Sequence, residues 1–160
     1  MAGMRLSDLL SPSLVKLDLV SKAKEELFDE MVEIFVDAGL VNDRDLALQV
    51  LFEREAEMST GISKGFGLPH GELPGIEEPC MVLGISHKGI AYDALDEEPV
   101  HVVLMVLFKV HDPESHISIL TEVSRLFSVP GFVERLASAE TAEQALDTIR
   151  NENGCPVFSG

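Results

Sequence analysis

Residues His101 to Phe108 read HVVLMVLF, and this run restricts the architecture of the chain more than any other stretch. It is rich in β-branched and large apolar residues and has no wet face, so it predicts a central strand covered on both sides. A sheet covered on both faces needs helices, and the flanking sequence supplies them. Between Lys22 and Ala38 the apolar residues Leu27, Met31, Ile34, Phe35 and Ala38 recur every three or four positions, with Ser21 as the expected N-cap and Gly39 as the stop. Asn42 or Asp43 is placed to cap a second helix running to about Met58, with Leu46, Val50, Leu51 and Phe52 facing inward. Asp112 and Pro113 have the order of an N-cap and first helical residue, ahead of a stripe of Ile117, Leu120, Val123 and Phe127 that His116 joins in the first turn. Pro130 and Gly131 then interrupt the chain. A short helix carrying Phe132, Val133 and Leu136 follows, and Thr141 caps a last one through about Arg150.

Val15 to Leu19, VKLDL, alternates like a strand with one buried face, and Cys80 to Ile85 reads as another strand ending in a bend at His87-Lys88-Gly89. Residues 6 to 10 read as a short helical turn capped by Ser7. The expectation is α/β: a single domain, a mixed β-sheet flanked by α-helices, over residues 1–153, with 154–160 as a flexible C-terminal tail. A hydrophobic content of 46 % in 160 residues is enough for one proper core.

Charge narrows the partners. With a net charge of -16 the chain would be repelled by nucleic acid and by anionic membrane, whereas a basic protein surface would attract it. Two cysteines, Cys80 and Cys155, show neither a CxxC spacing nor a disulfide framework, which fits a reducing compartment. No apolar run reaches the ~20 residues of a membrane span, and the N-terminus has no long apolar segment, so a cytoplasmic protein with no direct membrane insertion is expected.

Candidate chemistry concentrates in Gly61 to Gly71, GISKGFGLPHG. Gly61, Gly65, Gly67 and Gly71 let the backbone turn or approach something closely, and Pro69 stiffens the residue ahead of His70. A histidine in a glycine-rich loop is idle more often than not, so partners are needed. Arg54 continues the apolar stripe at the C-terminal end of the second helix, next to the entry of this segment. Pairing with a surface carboxylate is its plain alternative. His116 at a helix start has a packing or capping alternative. His87, His101 and His111 sit in no such context and read as structural. HExxH, paired cysteines and clustered ligands are absent, which argues against a metal, and no GxxxxGK[ST] supports a nucleotide site, so no cofactor is expected. Two imidazoles and one guanidinium suit phosphoryl transfer: a neutral histidine attacks phosphorus, and the protein supplies position and charge compensation.

The segment Glu53 to Gly71 resembles the signature of the EIIA domains of the mannitol, fructose and nitrogen-regulatory type in the bacterial phosphoenolpyruvate-dependent phosphotransferase system. DALDEEPVHVVLMVLF and then ESHISILTEVSRLFS resemble that family's strand and histidine-started helix in the same order, and the similarity extends from about Leu6 to Ile149. The resemblance implies the type-2 EIIA fold and a phosphotransferase with a phosphohistidine intermediate. His70 would accept the phosphoryl group from phospho-HPr, or from a nitrogen-related HPr, with Arg54 and His116 lining the site. The acceptor would be an EIIB or a regulatory target protein. A domain with no fused transporter favours the regulatory branch, with sugar-specific uptake of the fructose or mannitol type as the alternative. Ser63, Phe66 and Gly67 depart from the family pattern, and partner specificity is expected there.

Overall fold

The computed structural model describes residues 5–92, 94 and 96–153. The expected tail at 154–160 and Cys155 lie outside the described residues. In chain order the elements are α1 (Leu6–Leu9), a 3-10 turn (Pro12–Leu14), β1 (Val15–Lys16), α2 (Lys24–Asp37), α3 (Arg44–Glu57), β2 (Gly61–Ser63), β3 (Phe66–Gly67), β4 (His70–Leu73), β5 (Cys80–Ile90), β6 (Val100–Lys109), α4 (Pro113–Phe127), α5 (Phe132–Ala137) and α6 (Ala142–Asn153).

As the apolar run demands, β6 is the centre of a mixed sheet in the order β1-β5-β6-β3-β2. It pairs antiparallel with β5 and parallel with β3, then parallel with β4 further along the same side. Every residue from Val102 to Phe108 is buried. Side chains alternate across the pleat, so register fixes which helix each strand residue meets. Gly84 faces Met31 of α2 and pairs with Val103, and Gly71 faces Val50 of α3 and pairs with Leu107. The odd positions of β6 therefore look towards α2 and α3, which are joined by the Phe28–Phe52 stack at 4.7 Å. Its even positions look towards α4: Phe108 stacks on His116, and Phe66, opposite Val102, stacks on Phe127.

Several local expectations change. The VKLDL strand shrinks to Val15–Lys16, although Leu19 N–H still donates to the Ile85 carbonyl at 3.1 Å. Ser21 does not cap α2, whose N-cap is Ala23; its hydroxyl instead donates to Glu30 at 2.6 Å, a longer-range partner that outcompetes the local one. Ser7 lies inside α1, which Arg5 precedes as N-cap. Asp43, Asp112 and Thr141 do cap, accepting from the N–H groups of Leu46, Ser115 and Gln144. The bend at His87-Lys88-Gly89 is an irregularity inside the longer β5, with Gly89 at φ +92 and the register slipping between Ile85 and Ile90. Its anchors are Ser86, whose hydroxyl accepts from Gly89 N–H, and His101, whose Nδ1–H donates to the Ser86 carbonyl at 2.9 Å. Ile117 is 67 % exposed; the buried line of α4 is Ile119, Val123 and Leu126, with His116, Leu120 and Phe127 on its flank.

Candidate functional site

The glycine-rich segment is a strand-turn-strand, not a loop. Lys64 at φ +55 and Gly65 at φ +83 make the tight turn between β2 and β3, and Asp96 accepts from Lys64 N–H at 3.0 Å to hold it. Leu68 and Pro69 lead from β3 into β4, and the Pro69 carbonyl accepts from Val106 N–H at 3.0 Å. His70 is thus the first residue of a strand bonded to the most buried strand of the sheet. It is only 9 % exposed.

A carbonyl only accepts, so the 2.8 Å contact between His70 Nδ1 and the Leu68 carbonyl places the ring proton on Nδ1. In the neutral ring Nε2 then carries a free lone pair. Desolvation lowers the basicity of His70 first; the Leu68 bond raises it, the charges of Arg54 and His116 lower it, and Glu55 raises it. The sum is a pKa below the ordinary histidine value of 6.5.

His116 meets His70 edge to face at a centroid separation of 6.0 Å. Its ring is fixed on one side by Phe108, stacked at 4.0 Å and nearly parallel, and its Nδ1 lies 3.9 Å from the Glu72 carboxylate. His70, Glu72 and Phe108 share this arrangement because pairing of His70 with Val106 and of Glu72 with Phe108 puts all three on the α4 face. Arg54 approaches from the opposite layer. Its guanidinium donates to the Met58 carbonyl at 3.2 Å beyond the end of α3, and its charge is among those acting on His70. The fold therefore sets His70 and His116 edge to face, with the Arg54 guanidinium near enough for its charge to act on His70. Of the other candidates, Pro69 directly precedes His70, Gly61 and Gly67 lie against Tyr92, and Gly65 turns against Pro99 and His101.

Two of the three departures now have physical surroundings; the Ser63 side chain lies outside the described residues. Phe66, expected to face partners, is 3 % exposed and stacks on Phe127 with centroids 3.7 Å apart. It packs the hairpin onto the helix that carries His116. Gly67 lies against Tyr92, where a Cβ would come within 3.2 Å of the ring, and at Gly61 it would come within 2.7 Å. The tyrosine occupies the room that a methyl at 67 would need.

Sequence reasoning missed four contributors: Leu68, Glu55, Thr60 and Tyr92. Glu55 is 8 % exposed, takes both the N–H and the hydroxyl of Thr60, and is paired with Lys24 at 2.8 Å. Its signal was its spacing, since it sits four residues after the buried Leu51 and eight after the buried Ala47.

A family model described as "Phosphoenolpyruvate-dependent sugar phosphotransferase system, EIIA 2" matches residues 8–152. The chain is 33 % identical to the fructose-specific EIIA component of Haloferax volcanii, over 90 % of this chain and 94 % of that protein. It is 31 % identical to the fructose-specific EIIABC component of Bacillus subtilis over 94 % of its own length, but spans only 24 % of that longer protein. It is also 30 % identical to the nitrogen regulatory protein of Escherichia coli, over 68 % of this chain and 69 % of the other. Among solved structures, nitrogen regulatory protein IIA-Ntr from Neisseria meningitidis superposes with a TM-score of 0.83 at 24 % identity, covering 90 % of this chain and 98 % of that one. Among the described residues no helix is long and apolar enough to cross a membrane.

Proposed function

The chain belongs to the EIIA 2 family of the phosphoenolpyruvate-dependent sugar phosphotransferase system, and on that premise we propose that it is a phosphocarrier with His70 as its phosphoryl acceptor. The observation that carries the reading is the Nδ1–H bond from His70 to the Leu68 carbonyl, which leaves Nε2 as the nucleophilic nitrogen of a ring that desolvation keeps neutral. Nε2 attacks the phosphorus of a donor phosphohistidine. A new N–P bond forms, the donor N–P bond breaks, and its electron pair returns to the donor imidazole. The Arg54 guanidinium supplies positive charge and His116 a ring N–H to the equatorial oxygens, and the guanidinium exchanges the Met58 carbonyl for a phosphoryl oxygen. HPr, or a nitrogen-related HPr, is the proposed donor.

The test is labelling from phosphoenolpyruvate through enzyme I and HPr. Wild type takes up acid-labile label and His70→Ala does not; a His70→Ala protein that still labels overturns the assignment. Arg54→Ala and His116→Ala slow the transfer while remaining folded, and their roles are wrong if both transfer at the wild-type rate.

For the onward step, transfer to a fructose-type EIIB is supported by the 33 % and 31 % identities over nine-tenths or more of the chain. A regulatory role, in which phosphorylation changes which target protein is bound, is supported by the 30 % identity to a nitrogen regulatory protein over a shorter match. Mixing the labelled chain with a fructose-type EIIB separates them: rapid loss of label to EIIB favours sugar uptake, and retention favours regulation.

A further inference from the structure

Behind His70 runs an unbroken series of hydrogen bonds that ends in a buried charge. Lys24 Nζ pairs with Glu55 Oε2 at 2.8 Å, and the same oxygen accepts from Thr60 N–H at 2.8 Å. The Thr60 hydroxyl donates its single proton to Glu55 Oε1 at 2.5 Å, so the 2.7 Å contact between the Thr60 and Tyr92 oxygens must have Tyr92 as donor. From there the path returns along the backbone: Leu68 N–H donates to the Thr60 carbonyl at 2.9 Å, and the Leu68 carbonyl receives His70 Nδ1–H. Glu55, Thr60 and Tyr92 are 8 %, 4 % and 1 % exposed.

Such a set is costly to bury, and an apolar set of equal volume would hold the layers together as well. What hydrogen bonds add is direction. Thr60 is held through its N–H by Glu55, through its hydroxyl by Glu55 and Tyr92, and through its carbonyl by Leu68 N–H, which fixes the Gly67–Leu68 peptide directly before the Leu68–Pro69 peptide whose carbonyl faces His70. Tyr92 itself is clamped over Gly61 and Gly67, with the Lys24 ammonium 4.8 Å above its ring. Burial first, and the Glu55 charge second, push the Tyr92 phenol well above its ordinary value, so it stays a donor at any working pH.

We propose that Glu55, Thr60 and Tyr92 form a positioning relay that aims the Leu68 carbonyl at His70 Nδ1 and thereby selects the tautomer with Nε2 free. This inference rests on the phosphocarrier reading for its consequence, since only a reaction at Nε2 makes the tautomer matter. The three residues are not catalytic, because none touches the phosphoryl group. They act through the 68–70 backbone.

The experiment compares Thr60→Val, Thr60→Ser and Tyr92→Phe with wild type. Fold is followed by circular dichroism, the His70 tautomer by 15N NMR of the ring, and single-turnover transfer from phosphorylated HPr at varied donor concentration. Thr60→Val is expected to populate the Nε2–H tautomer and to slow the transfer step about tenfold at unchanged donor affinity, as for a nucleophile held slightly out of line. Thr60→Ser restores both, and Tyr92→Phe shifts both in the same direction by less. A folded Thr60→Val with wild-type tautomer and rate overturns the proposal, as does a folded Thr60→Ser that behaves like Thr60→Val. Should Thr60→Val not fold, Tyr92→Phe decides: unchanged tautomer and rate overturn it. A wild type that never labels defeats the phosphocarrier reading, while the tautomer comparison still decides the relay. A labelled wild type with indifferent variants defeats the relay alone.

Discussion

Burial and the nearby Arg54 guanidinium both disfavour a charge on His70. Desolvation is the first cause of its lowered basicity, with Arg54 and His116 acting in the same direction. Its titration midpoint, followed by ring NMR, is therefore expected below 6.5; a midpoint at or above that value counts against the assigned environment. The sign for stability follows from proton binding. Between 6.5 and the native midpoint the unfolded chain holds more protons, so this histidine's contribution is complete above 6.5 and is lost as pH falls through that window. At this scale His70, Arg54 and His116 were legible because each stands in a context that advertises it: a proline-glycine segment, a helix end, a capped helix start. Glu55 was not, since an acid beside Arg54 on an acidic chain looks like surface, and only its spacing from Leu51 betrays burial. Tyr92 was illegible for a different reason. Its partners, Thr60 and Gly67, are far away in sequence.

Among the elements, the hairpin of β2 and β3 is seated on α4 by the Phe66–Phe127 stack, which Phe132 of α5 extends edge-on at 5.0 Å. Phe66→Ala removes a ring that is almost fully buried, with an expected loss of about 3–5 kcal/mol in urea unfolding. The same variant should shift the ring resonances of His116, because the helix that carries it loses its seat on the hairpin. A loss under about 1 kcal/mol would mean the stack contributes little. Helix positions were readable from periodicity, and three expected caps hold. Two errors share a cause: Ser21 and the 87–89 bend are places where a tertiary partner overrides a local preference. Glu30 draws Ser21 away from its helix, and His101 holds the β5 irregularity inside the strand. Even the description of residues 61–71 as a loop failed this way. Of its four glycines, Gly61 and Gly67 let strands pass under Tyr92 and Gly71 lies against Val50, while Gly65 alone makes a turn.

Taken whole, the molecule is an acidic body whose candidate site sets the Arg54 guanidinium near two imidazoles. A net charge of -16 gives long-range attraction to a basic donor, so the association rate with HPr, the proposed donor, is expected to fall steeply as ionic strength rises from about 0.05 to about 0.5 M. A rate indifferent to salt would remove steering from the account. The α/β architecture was legible at this scale from HVVLMVLF alone, because a strand with no wet face dictates helices on both sides. The strand order was not, since nothing local says that residues 66–67 and 70–73 share one side of β6.

The strands at the ends of the sheet, β1, β2 and the off-path β4, are two, three and four residues long. Edges this short give another chain almost no backbone to zip onto. A visitor must then be held by side chains and charge, contacts that form quickly and let go quickly. For the courier proposed above, which would meet a giver and a taker in turn, brief handshakes are the condition of keeping the traffic moving.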